Sequence, residues 1–328
     1  MFRRSLLQRS LLFELHQTMS GIHDRIPAPV RGFLKSSRRR IRRSRIRHWW
    51  VNRFFSFGPA ELKATLRRLG VASGDVVIVH SAFESFEGFR GSVTDVIHAL
   101  RELIGPEGAL LMPTIPFPGS AVEYARTKPL FDVNRTPSSM GIITEIFRRL
   151  PGVTRSVHPT HPVAGWGAKA PSLLATHRLA QTPCGVGSPF ARLLQADGKI
   201  LLLGVGINAM TFFHYLEEDL EARMPFSPFT TETFTFDVRD EHGQTISIAS
   251  RLYDPVAGRQ RDGELLTPHL KAGGVWREAK VGRLKAIVLP CRDVRKIAGE
   301  MASKGIFCYH NLPRLSDQRL SATTLIPT

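Results

Sequence analysis

The feature that most restricts the fold is a short, uninterrupted apolar run, Ile200–Leu203, that ends at Gly204. A run of this length bounded by glycine is typical of a buried β-strand. Two further runs of the same kind are Val76–Val79 and Ala109–Met112. Strands that are apolar along their whole length belong to sheets covered on both faces by helices. We therefore expect a layered α/β sheet.

Segments with helical spacing separate these strands. They are Pro59–Leu69, Ser92–Ile104, Gly141–Leu150, Pro171–His177 and Phe190–Gln195. A succession of strand, helix and strand indicates a largely parallel sheet. Sites in such sheets lie beyond the carboxyl ends of the strands, and this places His80, Ser81 and Thr114 well for binding.

The pattern changes after Glu221. Thr231–Val238 and Thr245–Ile248 alternate between apolar and polar residues, which is typical of antiparallel strands. Val281–Leu289 predicts one further strand, and Val294–Ser303 predicts a helix. The sequence therefore predicts an antiparallel C-terminal extension to the α/β sheet.

A helix is expected after the Ile200–Leu203 strand, and it carries His214 and Glu217. These residues are spaced i, i+3, so their side chains share one face of the helix. We expect His158, on the loop before Pro159, to meet them at the strand ends. An imidazole beside a carboxylate is suited to proton transfer near neutral pH, so this stretch predicts a site that handles a proton.

Two other interpretations compete for the same residues. The stretch from Gly204 to Ala209 matches a G-x-G-x-x-A dinucleotide fingerprint, but the segment that should form the next parallel strand is charged and contains Pro225 and Pro228. A metal-dependent hydrolase is the second interpretation. Its ligands would be drawn from His80, His158, His161, His214, Asp132 and Glu217, although none of these forms an H-E-x-x-H pair. Each histidine taken singly also fits a structural role.

The charge of the chain is concentrated at its N-terminus. Residues 1–50 hold 13 Lys and Arg against Glu14 and Asp24, in a chain of net charge +17. We expect residues 1–55 to form a flexible basic extension, which suits an anionic membrane surface. Nucleic-acid binding is less expected because no recognised reading module accompanies the arginines. A non-catalytic adaptor that uses this extension remains an alternative function.

The rest of the composition is that of a globular protein. The chain is 42% hydrophobic and 22% charged. It has no run of about 18 apolar residues, and its three cysteines are too few for a disulfide framework. We therefore expect a cytoplasmic protein, peripheral to the membrane if the extension binds lipid, with one catalytic domain at 56–310 and a tail at 311–328.

Several short motifs follow one another in order along the chain. They are Gly74-Asp75 before His80-Ser81, Phe131-Asp132 before Thr136-Pro137-Ser138, Met140-Gly141, Arg155-Ser156-Val157-His158-Pro159, Gly187-Ser188-Pro189, Leu202-Leu203-Gly204-Val205-Gly206, and Thr211 before His214-Tyr215 and Glu217. This ordered set resembles the aminoglycoside 3-N-acetyltransferases, closely from Ser56 to Glu221 and loosely to Tyr309. The resemblance implies a three-layer α/β/α sandwich with a largely parallel or mixed central sheet. It also implies acetyl-CoA as donor, an amino sugar as acceptor and no metal.

The resemblance also implies roles for individual residues. The pantetheine and phosphate path would be lined by His80, Ser81, Phe83, Arg155, Ser156, Val157 and Ser188. The catalytic residues would be His158, His214 and Glu217, with Asp132 and Glu218 binding the acceptor. His161-Pro162 and the basic extension depart from the resistance enzymes, so the resemblance does not make an antibiotic the natural acceptor.

The chemistry of acetyl transfer fits these residues independently. An amine attacks a thioester only when it is neutral, so a base must take its proton, and the sequence predicts His158 for this role. A carboxylate, Glu217 or Asp132, would attract the cationic acceptor and orient the imidazole. Because the scheme needs no cysteine, we expect direct transfer in a ternary complex.

Overall fold

The strands of the central sheet form on the predicted apolar runs. The computed structural model describes residues 50, 51 and 53–311. The chain divides into two units at Phe54–Phe55, and every element below lies in the second. The strands are β1 (Val76–Ser81), β2 (Ala109–Pro113), β3 (Phe131–Asp132), β4 (Thr154–Arg155), β5 (Val163–Trp166), β6 (Lys199–Leu203), β7 (Phe229–Arg239), β8 (Thr245–Tyr253), β9 (Arg277–Val281) and β10 (Leu284–Pro290). The predicted extension 1–55 and tail 311–328 lie mostly outside the described residues, so both stay predictions.

Helices separate most of these strands, although β4 and β5, β7 and β8, and β9 and β10 follow one another with no helix between them. The helices are α1 (Pro59–Arg68), α2 (Val93–Ile104), α3 (Ala121–Arg126), α4 (Ile142–Phe147), α5 (Ala170–Leu174), α6 (Pro189–Gln195), α7 (Phe212–Asp219), α8 (Pro255–Gln260), α9 (Thr267–Ala272) and α10 (Cys291–Ser303). Local sequence fixes where several of them begin. Ser92 and Asp95 form a reciprocal capping box at the start of α2, and Pro59 occupies the first turn of α1. None of the described helices is long and apolar enough to cross a bilayer.

The main sheet is mixed, with strand order β4-β5-β2-β1-β6-β10-β9. The central strand β1 runs parallel to its two neighbours, β2 and β6. On the outer side of β2 lies the antiparallel strand β5, and on the outer side of β6 lies the antiparallel strand β10. Because β1, β2 and β6 are parallel, their carboxyl ends lie at one edge of the sheet. The strand beside β6 is the antiparallel β10, so β6 and α7 do not continue into the parallel strand that a dinucleotide-binding unit requires.

Successive side chains of the central strands enter two different cores. Ile78 and Leu202 pack in a cluster with residues of α5, α6, α7, α9 and α10, whereas Val79 and Leu203 pack with residues of α1, α2 and α4. This alternation follows from the two-residue period of a strand. Helices therefore cover both faces of the sheet, and the predicted α/β/α fold is confirmed.

A second, three-stranded sheet contains the predicted antiparallel pair. The strands β7 and β8 pair antiparallel, and β3 adds to β7 in parallel. The strand predicted at Val281–Leu289 is confirmed from Leu284 onward as β10, but Val281 belongs to the end of β9. Gly282 adopts a φ of +55° there and turns the chain between β9 and β10, which pair antiparallel in the main sheet.

The glycine that ends the Ile200–Leu203 run is required by close packing. Gly204 has a φ of +70°, and a Cβ atom on it would lie 2.2 Å from the Cβ of Ser85. The Ser85 hydroxyl donates a hydrogen bond to the Gly204 carbonyl at 2.8 Å. This approach brings the turn after β1 against the turn after β6, at the edge where α7 begins.

Candidate active site

The helix α7 places an imidazole and a carboxylate in contact. His214 Nδ1 lies 2.9 Å from Glu217 Oε2, as expected for residues spaced i, i+3. With Nδ1 donating to this carboxylate, the lone pair of Nε2 is left free to accept a proton. Burial and the neighbouring Arg261 charge lower the pKa of His214 well below 6.5. His214 is therefore neutral at pH 7, as a general base must be.

His214 lines a cleft of about 390 Å³ between α7, the loop that follows β2 and the segment that follows β8. The other residues lining it include Phe117, Glu123, His161, Tyr253, Arg259 and Arg261. Tyr253 stacks on the His214 ring with centroids 4.2 Å apart, and His161 lies edge-on to it at 5.6 Å. These aromatic contacts hold the imidazole at the wall of the cleft.

The Glu217 carboxylate is buried and held by several donors. Arg261 Nε donates to its Oε1 at 2.6 Å, and the hydroxyl of Tyr309 donates to the same oxygen. Burial raises the pKa of Glu217 to about 7, while the Arg261 guanidinium acts in the opposite direction. This environment holds the carboxylate in one orientation toward His214.

His158 and His214 lie in different surroundings. His158 is fully buried, and its Nδ1 accepts the backbone N–H groups of Thr160 at 3.3 Å and His161 at 3.2 Å. Its ring stacks on His177 at 4.4 Å, and it does not line the cleft that contains His214. Because both backbone donors occupy the Nδ1 lone pair of the neutral ring, its proton lies on Nε2, which is buried and has no hydrogen-bond partner among the described residues. An imidazole before a proline is compatible with a structural or a catalytic role, and the role of His158 as the base stays a prediction.

His80 and Ser81 end β1 with unsatisfied polar atoms. The Nε2 of His80 and the Oγ of Ser81 are buried, and neither has a hydrogen-bond partner among the residues that the structure describes. Burial lowers the pKa of His80 to about 4, so its ring is neutral. Phe83 follows in a short turn and stacks on Phe86. Since buried polar atoms in proteins are almost always paired, these two groups are suited to a ligand.

The other residues expected along the CoA path are engaged within the protein. Arg155 donates to the hydroxyl of Thr114 at 2.8 Å and to the carbonyl of Thr136 at 2.6 Å. Ser156 Oγ lies 2.8 Å from His177 Nδ1, and Val157 is buried in an apolar cluster. Ser188 caps α6 and donates to the Cys184 carbonyl at 2.6 Å. These side chains position loops, and Arg155, Ser156 and Val157 also line a cavity of about 350 Å³. Their role along the CoA path stays a prediction.

The two carboxylates predicted to bind the acceptor also have internal partners. Asp132 Oδ1 accepts the N–H groups of Asn134 and Arg135, each at 2.9 Å. Glu218 accepts hydrogen bonds from Thr182, Tyr253 and the Cys184 N–H, and burial raises its pKa to about 7. Both carboxylates therefore hold loops in place. Among the described residues, no cluster of three or more His, Cys, Asp or Glu side chains forms a metal-binding group.

Glu123 and His161 line the His214 cleft. The sequence indicated no role for Glu123, and it suggested His161 only as a candidate metal ligand. Glu123 is on α3, within a segment from 115 to 139 that the sequence shows only as an unusually long connection. His161 Nδ1 lies 3.1 Å from the Thr160 hydroxyl, and burial lowers the pKa of His161 well below 6.5. Arg261 and Tyr309 lie beyond the closely matching part of the chain, and no local pattern distinguishes them.

Comparison with known proteins identifies the family. The family model described as Aminoglycoside 3-N-acetyltransferase matches residues 78–303. Aminoglycoside N(3)-acetyltransferase IV of Salmonella sp is 36% identical over 172 residues, which are 52% of this chain and 62% of that protein, so this match spans less than two thirds of the relative. Aminoglycoside N(3)-acetyltransferase VII of Streptomyces paromomycinus is 33% identical over 262 residues, covering 73% of this chain and 90% of the relative.

Solved structures agree with these matches. A histidine-to-alanine variant of aminoglycoside acetyltransferase AAC(3)-IVa in complex with a gentamicin has a TM-score of 0.66 and 28% identity, and the match covers 81% of this chain and 98% of that one. Sisomicin-bound AAC-VIa has a TM-score of 0.64 and 26% identity, over 77% and 100% of the two chains. The resemblance found in the sequence is confirmed, and this chain belongs to the aminoglycoside 3-N-acetyltransferase family of acyltransferases.

Proposed function

We propose that this protein transfers the acetyl group of acetyl-CoA to an amine of an amino sugar, with His214 as the general base. The observation that carries the proposal is the neutral His214 imidazole, hydrogen-bonded through Nδ1 to Glu217 and lining an open cleft. The matched family and the named relatives are aminoglycoside N-acetyltransferases, which supports acetyl as the transferred group and an amino sugar as the acceptor.

The proposed reaction proceeds by direct transfer. His214 Nε2 removes a proton as the acceptor nitrogen attacks the thioester carbon, and Glu217 stabilises the imidazolium that forms. The new C–N bond forms and the C–S bond breaks, and the CoA thiolate leaves and takes up the proton. The three cysteines are buried, and burial raises the pKa of each thiol, which opposes formation of an acyl-thiol intermediate.

The end of β1 is the proposed contact for the donor. Pantetheine carries amide groups that both donate and accept hydrogen bonds, and these would satisfy the unpaired Nε2 of His80 and Oγ of Ser81. Phe83 adds an aromatic surface directly after them. On the acceptor side, the Glu123 carboxylate in the His214 cleft would attract a cationic amino sugar.

The direct test is a thiol-release assay with the full-length protein, acetyl-CoA, and gentamicin, sisomicin and glucosamine as acceptors. We expect release of CoA that depends on the acceptor, with the acetylated nitrogen identified by NMR. The His214→Ala variant and a reaction without acceptor are the matched controls. A folded protein that binds acetyl-CoA but releases no thiol with any amino sugar would refute the proposal.

Replacing Ser81 with alanine should weaken donor binding selectively. One hydrogen bond to pantetheine contributes about 0.5–1.5 kcal/mol, so KM for acetyl-CoA should rise about 2–10-fold with kcat nearly unchanged. Ser172→Ala is a suitable control, because that exposed hydroxyl donates only to the Lys169 carbonyl. An unchanged KM for acetyl-CoA would place the donor elsewhere.

A further inference from the structure

The buried carboxylate of Glu217 receives donors from three separate parts of the chain. His214 Nδ1 approaches one oxygen at 2.9 Å from within α7, and Arg261 Nε approaches the other at 2.6 Å from the segment after α8. The third donor is the hydroxyl of Tyr309, whose side chain is also buried. Tyr309 belongs to the segment that follows α10, here named the C-terminal segment and comprising residues 304–311.

Backbone pairing fixes the position of Tyr309. The N–H of Asp262 donates to the Cys308 carbonyl, and the N–H of His310 donates to the Gln260 carbonyl, both at 2.9 Å. These bonds form an antiparallel bridge between Tyr309 and Arg261. The C-terminal segment is therefore paired with the very residues that carry the second donor to Glu217.

Tyr309 lies outside the region that defines the family. The family model matches residues 78–303 and ends before the C-terminal segment begins. The carboxylate that orients His214 thus depends on a side chain that the family match does not include.

The surroundings of Glu217 make the tyrosine difficult to replace. Glu217 and Tyr309 line a small cavity whose other walls are almost entirely apolar, including Phe213, Leu216 and Phe307. A carboxylate in such surroundings is stabilised mainly by the donors that touch it. Loss of one donor leaves a buried anion with less compensation, because the apolar walls offer no substitute.

We propose that Tyr309 is a positioning residue for the catalytic pair, and that its hydroxyl favours the ionised form of Glu217 and directs it at His214. This inference rests on the proposed function, in which His214 is the base. The C-terminal segment then contributes a donor to the catalytic pair from the cavity that Glu217 and Tyr309 line.

The expected pH effect depends on all the ionisable groups that influence Glu217. They are His214, Arg261, Tyr309, Cys184, Cys308 and Glu218. Hydrogen bonding to the charged form of a carboxyl lowers its pKa, so we expect removal of the Tyr309 hydroxyl to raise the pKa of Glu217. Glu217 would then be protonated over more of the neutral range and would stabilise the His214 imidazolium less.

Tyr309→Phe should therefore lower kcat near pH 7 by about 10-fold, because it retains the ring and removes one hydrogen bond to a charged group. The acidic limb of the kcat profile should move upward by about one pH unit, while KM for both substrates stays within about twofold. Tyr215→Phe is the matched control, since that hydroxyl lies 3.4 Å from Asp219 on the same helix. A Tyr309→Phe profile that superimposes on the wild type would refute the proposal.

A double-mutant cycle separates positioning from general damage to the fold. If Tyr309 acts through the Glu217 anion, Tyr309→Phe should have almost no further effect on kcat in a Glu217→Gln background. Independent, additive losses in the two variants would contradict the proposal. Thermal unfolding followed by circular dichroism identifies any variant that loses activity by unfolding.

Carboxyl NMR titration of the substrate-free protein tests the inference independently of transferase activity. With ¹³C-labelled glutamate, the Glu217 titration should move to higher pH in Tyr309→Phe. If the wild type is inactive with every amino sugar and this shift is nevertheless seen, the proposed function fails and the contact stands. If the wild type is active and the titration does not move, the role of Tyr309 fails and the proposed function stands.

Discussion

His214→Ala should lower kcat by about 10²–10⁴-fold, the usual contribution of a general base. The imidazole is neutral, hydrogen-bonded to Glu217, and lines the cleft proposed for the acceptor. Alanine removes the proton acceptor and leaves the donor contacts at the end of β1 in place, so KM for acetyl-CoA should change little. Steady-state kinetics at pH 8 provides the measurement, because Glu217, with a pKa of about 7, is then mostly ionised.

A second histidine variant makes this result specific. His158 was the base expected from the sequence, but it is buried with backbone N–H groups on its Nδ1. His158→Gln should affect stability more than kcat measured on the folded protein. If His158→Gln loses kcat by 10²-fold or more while His214→Ala remains active, the assignment of the base reverses.

Arg155→Met should destabilise the fold by about 3–4 kcal/mol, because it leaves buried acceptors without their donor. The guanidinium donates to the Thr114 side chain and to the carbonyls of Val133 and Thr136, and it lies over the Phe131 ring. These contacts connect the end of β2 to the loop after β3. In a domain of this size the loss corresponds to a fall in Tm of roughly 6–15 °C, measured by calorimetry.

The same variant tests whether Arg155 binds the donor directly. Arg126→Met is the control, because Arg126 is exposed on α3, where a substitution should change stability by about 0.5 kcal/mol or less. We expect Arg155→Met to lower Tm, whereas a direct role of Arg155 in binding CoA predicts a different result. KM for acetyl-CoA would then rise strongly while Tm stayed near the wild-type value.

The sequence was most informative where a feature is local. The Ile200–Leu203 run forms the core of β6, and the i, i+3 spacing of His214 and Glu217 yields the hydrogen bond expected on α7. Both features depend only on the period of one element. The run Val281–Leu289 shows the limit of such reasoning, since Gly282 reverses the chain within it and separates β9 from β10.

The sequence did not predict which polar side chains would be buried or which distant residues would pair with them. Arg155, Asp132 and Glu218 have residue types suited to catalysis or binding, yet neighbouring loops form hydrogen bonds to their polar atoms. Of the two ring nitrogens of His158, Nδ1 accepts backbone N–H groups, whereas Nε2 has no partner among the described residues. The residues that pack against a polar side chain decide whether it is hydrogen-bonded within the protein or remains available to a ligand. Ser81 and His80 were left with unpaired atoms for that reason.

The sequence by itself determined the α/β class, the family, and the histidine–glutamate pair on α7, because apolar periodicity and residue spacing express local geometry. The tertiary structure alone decided which histidine faces the cleft and what holds Glu217. The donors Arg261 and Tyr309 are 44 and 92 residues away from that carboxylate in the chain. Contacts over such separations arise only when β8, α8 and the C-terminal segment have packed against α7, so no pattern within one element encodes them.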